Sequence, residues 1–436
     1  MKALKTSLLA TAATSVLMTS AYAGGFSTEG INPGGALFND KSFVVQGAVS
    51  YAMPQRRYTS ATGTDQTFTG ITSGSASDAT PNYFLLSGDL KFGINEHIDC
   101  AIRGHQPYFL DNEVSGNFNG RYIQDSFKID SVGIDGTCSY KFFIKDGYRV
   151  RLIGGVTSTD FEASRTNQAT AGYLAGVSMA TFPPPAPGGI PIFPEFSTPV
   201  PTESDYTNIY TFDSERGYGY RVGAAFEIPK YALRAQIIYD SAVDVKLKGK
   251  QRIFNASNTV PVVLDIPAFL DLELPQSVSV RAQSGINETT LLYAGVRWMD
   301  WSEIAALTIT VPDNEFLNKV LTTGYSDGWT IEGGIQKKLM DNLSGSAGLK
   351  WDKGIGGGYT DTWSLSGGLA YDIDDNWRVS LGGSISMLTS SNESDGFVGT
   401  PPDCAGSPGG GCSSSSYRQG TDWAYGIGTR LQYSIK

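Results

Sequence analysis

Between Ser42 and Lys436 the side chains alternate in polarity with a period of two, and the breaks in that alternation are by turns very short and very long. In the stretch 377–387, Trp377, Val379, Leu381, Ile385 and Met387 share one parity, and Arg378, Ser380, Ser384 and Ser386 share the other. A strand places successive side chains on opposite faces, so one face suits lipid and the other a wet interior. The same alternation runs through 148–156, 343–351 and 423–435, where Trp423, Tyr425, Ile427, Leu431, Tyr433 and Ile435 share a face. Short turns on one side and long loops on the other are the wiring of a closed antiparallel up-and-down β-barrel across a membrane.

The first residues carry Lys2 and Lys5, then an apolar stretch from Leu8 to Met18, then Ala21-Tyr22-Ala23, which is the order of a cleaved secretory signal. The expected organisation is a signal peptide over 1–23, a short segment over 24–41 and the barrel over 42–436. Beyond the leader no apolar run reaches the ~18 residues of a spanning helix, so insertion has to use β-structure. With 52 Gly, 22 Tyr and 17% charged residues, the chain suits strands, tight turns and interfacial aromatics. A net charge of −10 argues against a nucleic-acid partner.

Short connections fall at Asn95 to His97, Lys145 to Gly147, Pro229-Lys230, Asn287-Glu288, Met340 to Asn342 and Asp372 to Asn376, and these would face the periplasm. Longer ones cover 55–81, 110–124, 161–215, 248–275, 303–327, 353–361 and 389–420. The resulting fold is all-β with about 14 strands, an even number as such barrels require. All seven Trp lie between Trp298 and Trp423, each close to a proposed strand end, and read as interfacial aromatics.

Two of the long connections carry apolar side chains that no strand claims. One holds Phe182, Ile192, Phe193 and Phe196 among closely spaced prolines, and the other holds Val263, Ile266, Phe269 and Leu270. Apolar residues on outer loops pack on each other or on a ligand, so either a cap or a binding groove follows. Four Cys in an exported chain invite pairing, and strand parity opposes Cys100 to Cys138, while Cys404 and Cys412 share one loop. With no His near either pair a zinc site is not expected, and neither is any other metal or cofactor. His97 and His105 are the only histidines and no Gly-x-Ser-x-Gly elbow occurs, so the chain does not read as an enzyme.

In the order and spacing of several segments the chain resembles the FadL and TodX outer-membrane transporters for long-chain fatty acids and other hydrophobic compounds. These are 274–280, 296–302 with its Trp-Met-Asp-Trp, 327–334, and 217–223 leading to Tyr239 and Lys248-Gly249. The resemblance implies a barrel plugged by an N-terminal hatch, with Asn32-Pro33-Gly34 standing in for the hatch's Asn-Pro-Ala motif. It implies capture of ligand between the two apolar loops, and sideways release at a kinked third strand. Gly104 weakens that strand here and Pro107 cannot donate to its ladder. A carboxylate head group would find inward arginines among Arg103, Arg149, Arg151, Arg221 and Arg234. The expected function is therefore passive uptake of a hydrophobic small molecule, most simply a long-chain fatty acid. The protein would be a monomer in the lipid of the outer membrane of a Gram-negative bacterium. The alternatives are a diffusion porin for small polar solutes and a barrel hydrolase.

Overall fold

The structure, a computed structural model, describes residues 25–31, 35–65, 68–76, 80–113, 126–144, 147–169, 206–214, 216–255, 263–312, 318–393 and 413–435. Fourteen antiparallel strands close into one barrel. In chain order they are β1 (Phe43–Pro54), β2 (Tyr83–Gly93), β3 in two pieces (Ile98–His105 and Leu110–Glu113), β4 (Ser126–Phe143) and β5 (Arg149–Ala169). β6 (Tyr206–Ser214 and Gly217–Ile228), β7 (Leu233–Asp240 and Val243–Asn255) and β8 (Val263–Leu274 and Ser277–Gly285) are each broken once. β9 (Thr290–Met299), β10 (Gly328–Met340), β11 (Leu343–Asp352), β12 (Thr362–Asp372), β13 (Trp377–Leu388) and β14 (Asp422–Ile435) complete the wall. Closure is a full ladder between β1 and β14, from Phe43 opposite Ile435 to Pro54 opposite Ala424.

Parity sorts the side chains as the sequence pattern requires. Ile134, Leu152, Val156, Leu365 and Leu381 stand on the outer surface, where lipid meets them, while Ser364, Ser366, Ser386, Gln432 and Ser434 are buried on the inner face. Rings gather at both rims: Trp351 lies 6.2 Å from Trp363 at the outer end, and Trp377 lies 4.8 Å from Tyr433 at the periplasmic end. Trp301 departs from the interfacial expectation. It sits on a 3-10 turn (Trp301–Ile304) that dips into the lumen, and it is fully buried.

The wall is uneven in height. β5 has 21 residues and β4 has 18, against 10 in β9 and in β11. A tilted strand needs ~9–11 residues to cross a bilayer, so β4 to β8 project well beyond it. Much of the two stretches read as loops is therefore strand. Residues 161–169 continue β5, 206–214 begin β6, and Val263–Leu274 pairs with Val243–Asn255 along its whole length. The segment 263–274 alternates cleanly, with Ile266, Ala268, Leu270, Leu272 and Leu274 buried, and with Asp265, Phe269, Asp271 and Glu273 outward.

The third strand is broken where Gly104 and Pro107 stand. β2 and β3 pair only between Gly88–Gly104 and Gly93–Asp99, so the outer half of β2 has no ladder on that side. The Leu86 amide instead donates to Gln106 Oε1 at 3.0 Å. Backbone groups of the break turn inward to the N-terminal segment: Thr28 N donates to Pro107 O, and Phe109 N donates to Phe26 O, both at 2.9 Å. Towards β4 the break is held by Ser131, whose hydroxyl accepts from Tyr108 N and donates to Tyr108 O.

Below the break, Cys100 and Cys138 face each other across the β3–β4 ladder and form a disulfide. Cys404 and Cys412 lie outside the described residues. Replacing both Cys100 and Cys138 by Ser removes a cross-link over 38 residues, worth about 2–4 kcal/mol through the unfolded chain. The expected outcome is a lower temperature for the folded-to-unfolded mobility shift on a semi-native gel, and a wild-type barrel pretreated with reductant should match the double variant.

Candidate ligand site and its floor

The tall side of the barrel encloses an apolar cavity of ≈ 700 Å³, a figure that includes its open mouth. β4 supplies Phe127 and Ile129, β5 supplies Phe161 and Ala163, β6 supplies Tyr210 and Phe212, and β8 supplies Leu270 and Leu272. These are the inward residues of strands whose period of two puts every second side chain there. The far wall is Ile304, Leu307, Ile309 and Tyr325, from the connection between β9 and β10. Burial pushes the Tyr325 hydroxyl well above its ordinary titration range. Arg165 and Ser164 are the polar side chains on its β5 edge.

The N-terminal segment makes the floor. Phe26 lines the cavity and packs edge-on against Trp301 at 4.5 Å and Tyr108 at 5.8 Å. Gly25 allows this approach in two ways. Its φ of +71° is a conformation that side chains other than Gly rarely adopt, and a Cβ there would lie 2.7 Å from the Trp301 ring. Further along, Leu37 and Phe38 of a 3-10 turn (Gly35–Phe38) bury against Ala101, Ile153, Ala225 and Ile238 on the inner wall.

Between these two apolar anchors Glu29 ties the segment to two strands, β3 and β9. Its carboxylate lies 2.9 Å from His105 Nε2, 3.3 Å from Arg103 and 3.4 Å from Arg297, and Arg297 also donates to the Glu29 carbonyl at 3.0 Å. Burial alone would raise the Glu29 carboxyl, but the His105 hydrogen bond and the charges of His105, Arg297 and Arg103 hold it well below the usual carboxylate range. Glu29, His105 and Asp135 bring ligand-type atoms within 4.8 Å of one another. Arg221 lies 3.4 Å from Asp135, so three arginines already face these two carboxylates, and ion pairing fits the set better than a divalent cation.

The structure separates the residues singled out from sequence. Leu270 lines the cavity and Ile266 is buried on the same face of β8, whereas Phe269 points outward, 36% exposed. Val263 begins β8 opposite Phe254. Phe182, Ile192, Phe193 and Phe196 lie outside the described residues, as do Asn32, Pro33 and Gly34. Arg103 belongs to the Glu29 cluster, and Arg151 is bound to Asp99 at 2.8 Å and Glu227 at 3.0 Å, deep below the cavity. The role of Glu29, His105, Phe26 and Trp301 in the floor has no local sequence signal, because their partners are remote in sequence.

A closed barrel with an apolar chamber at its outer end, floored by its own N-terminal segment, defines an outer-membrane transporter of hydrophobic compounds. A profile of the family described as "Outer membrane protein transport protein (OMPP1/FadL/TodX)" matches residues 9–355, and the chain belongs to that family. No curated protein sequence matches it. Among solved structures, a Pseudomonas aeruginosa FadL homologue aligns with a TM-score of 0.69 at 19% identity over 96% of this chain and 98% of the other. The Ralstonia pickettii toluene transporter TbuX gives 0.62 at 13% over 96% and 98%. The Pseudomonas putida toluene transporter TodX gives 0.59 at 12% over 93% and 92%. At these identities the likeness concerns the fold. The family places the protein in the outer membrane of a Gram-negative bacterium.

Glu29→Ala leaves His105, Arg103 and Arg297 without their shared carboxylate, at a cost of about 3–5 kcal/mol for breaking a buried ion-pair cluster. The N-terminal segment should then detach, read in planar bilayers as a larger and longer-lived conductance than that of wild type. Wild-type conductance in Glu29→Ala would show that the cluster does not hold the floor.

Proposed function

We propose that the protein carries out passive uptake of hydrophobic molecules, with long-chain fatty acids as the ligand class. A ligand is captured at the outer end, held in the cavity between β4 and β8, passed into the lumen and released sideways beside Gly104 and Pro107. The observation that carries this reading is the composition of the cavity, whose lining is almost wholly hydrocarbon and aromatic. Burial of a chain there gains ~0.8 kcal/mol per methylene, so no energy source is needed for capture. The missing outer half of the β2–β3 ladder supports the sideways exit, since no strand pairing has to break there. The outer residues of that break are already satisfied by the N-terminal segment and by Ser131.

A porin reading is disfavoured by the floor, which places packed rings and ion pairs in the lumen beneath the cavity. Against a hydrolase reading stands the family, whose members are transport proteins.

Adjacent residues on β8 provide the test. Leu270→Asp puts a carboxylate into the dry cavity and should weaken binding of a fluorescent fatty acid about tenfold or more. Phe269→Asp, on the opposite face of the same strand, should leave affinity within about twofold. Equal effects at both positions, with both barrels still heat-modifiable on gels, would remove the cavity from the ligand's path.

A further inference from the structure

On its low side the barrel is covered at the outer end. The inner faces of β12, β13 and β14 finish there in Thr362, Ser364, Ser386, Leu388 and Ala424, and none of these is more than 4% exposed. Side chains at the mouth of an open polar cylinder would meet water, so a cover lies across them. Further down the same wall Ser346, Ser380, Ser384 and Ala48 are only half-buried, and Ser380 and Ala48 both face Arg430 in register. Room therefore remains below the cover. The anchors of the N-terminal segment lie on the other side, on β3 and β9 through Glu29 and on β3 and β5 to β7 through Leu37 and Phe38. Floor and cover thus serve different halves of the lumen.

Arg56, just beyond the end of β1 and itself buried, ties the cover together. Its Nη1 donates to Thr389 O at 3.2 Å, and its Nη2 donates to Thr360 Oγ1 at 2.8 Å, Gly358 O at 3.3 Å and Gln419 Oε1 at 2.5 Å. These acceptors belong to the β11–β12 connection and to both ends of the β13–β14 connection. The first and last connections also share a four-stranded sheet outside the barrel, in which Tyr58–Asp65 pairs with Phe68–Ala76 and with Ser413–Gln419. From Gly358 the cover continues across the mouth. Tyr359 packs against Tyr325 at 5.8 Å, Ser326 N donates to Ile355 O at 2.8 Å, and Ile355 is fully buried in the same cluster as Trp301. Some of these pieces are joined without Arg56: Thr360 Oγ1 donates to Thr389 O, and Arg57 holds Asp422, each at 2.8 Å. What Arg56 adds is the tie from β1 to the β11–β12 connection, past the ends of β13 and β14. A guanidinium suits that junction, because its fixed fork of donors reaches acceptors on several segments at once.

We propose that Arg56 sets the selectivity of the mouth. By holding the β11–β12 connection across the low side, it shuts small polar solutes out of the half of the lumen whose wall carries Ser and Ala, and leaves entry to the apolar cavity on the tall side. A polar lining of small side chains offers a hydrated solute no barrier of its own, so such a barrel conducts unless loops or a plug obstruct it. The inference goes beyond the uptake reading, since it concerns what the barrel keeps out.

Swelling of proteoliposomes in arabinose tests this role, with full-length wild type and Glu29→Ala as parallel backgrounds. The Glu29→Ala background removes the floor as a second barrier. Arg56→Ala should speed swelling about fivefold or more in at least one background, as expected when loops cease to obstruct a polar barrel. Arg56→Lys should restore little of the closure, because an ammonium reaches fewer of the acceptors. Arg57→Ala, at the exposed neighbour, should swell like its background. Affinity for a fluorescent fatty acid should stay within about twofold in Arg56→Ala, as for a site apart from the cavity. Heat-modifiable mobility shows that each variant is folded, and Arg56→Gln replaces Arg56→Ala if the latter does not assemble. Unchanged swelling in both backgrounds, or faster swelling accompanied by loss of fatty-acid binding, overturns the assignment. A wild type that binds no fatty acid counts instead against the cavity as the uptake site, and the swelling comparison still decides the role of Arg56.

Discussion

Inside a bilayer every backbone N–H and C=O has to find its partner within the protein, since no water is there to replace it. The ladders from β1 round to β14 meet that requirement through strand pairing, whereas along the outer half of the β2–β3 seam no ladder forms between the described residues. There the demand is met by Phe26 and Thr28 of the N-terminal segment, by the Gln106 side chain within the break and by the Ser131 side chain on β4. The break in the wall and the filling of the lumen are therefore one arrangement. A segment that moved out of the lumen would expose the backbone of the break, and a break that closed into a regular ladder would release the segment.

The lumen is stratified by chemistry. Its outer level is hydrocarbon and ring, contributed by the inward residues of β4 to β8 and the Trp301 turn. Below it lies the Glu29 cluster, and below that the level of Asp99, Glu227 and Arg234. Apolar surface favours capture without distinguishing one hydrocarbon from another. The charged levels secure the segment, because desolvated ion pairs are costly to break one partner at a time.

How much of this could be read from the chain depends on range. The barrel was legible because alternation is local and repeats along the wall, as 377–387 and 423–435 do. The Cys100–Cys138 pair followed from parity and from both residues standing near the periplasmic ends of adjacent strands. The strand Val263–Leu274 was hidden by Pro267 and by the expectation that a barrel strand stops at the membrane, although Ile266, Ala268, Leu270, Leu272 and Leu274 kept the period. That is also why Phe269 was grouped with Leu270 when the two face opposite ways. Trp301 and Glu29 were not legible, since their neighbours, Phe26 and His105, are set by how the segment folds back into a closed wall.

The uneven rim has a consequence of its own. Phe161, Leu270 and Tyr210 lie on the parts of β5, β8 and β6 that rise past the hydrocarbon layer. The cavity is thus lifted into the zone of sugars and charged head groups that coats the cell, where a free hydrocarbon is least soluble. On the uptake route proposed above, the raised wall serves as a chimney through that zone, taking a greasy molecule in above it and carrying it down to the level of the oily interior.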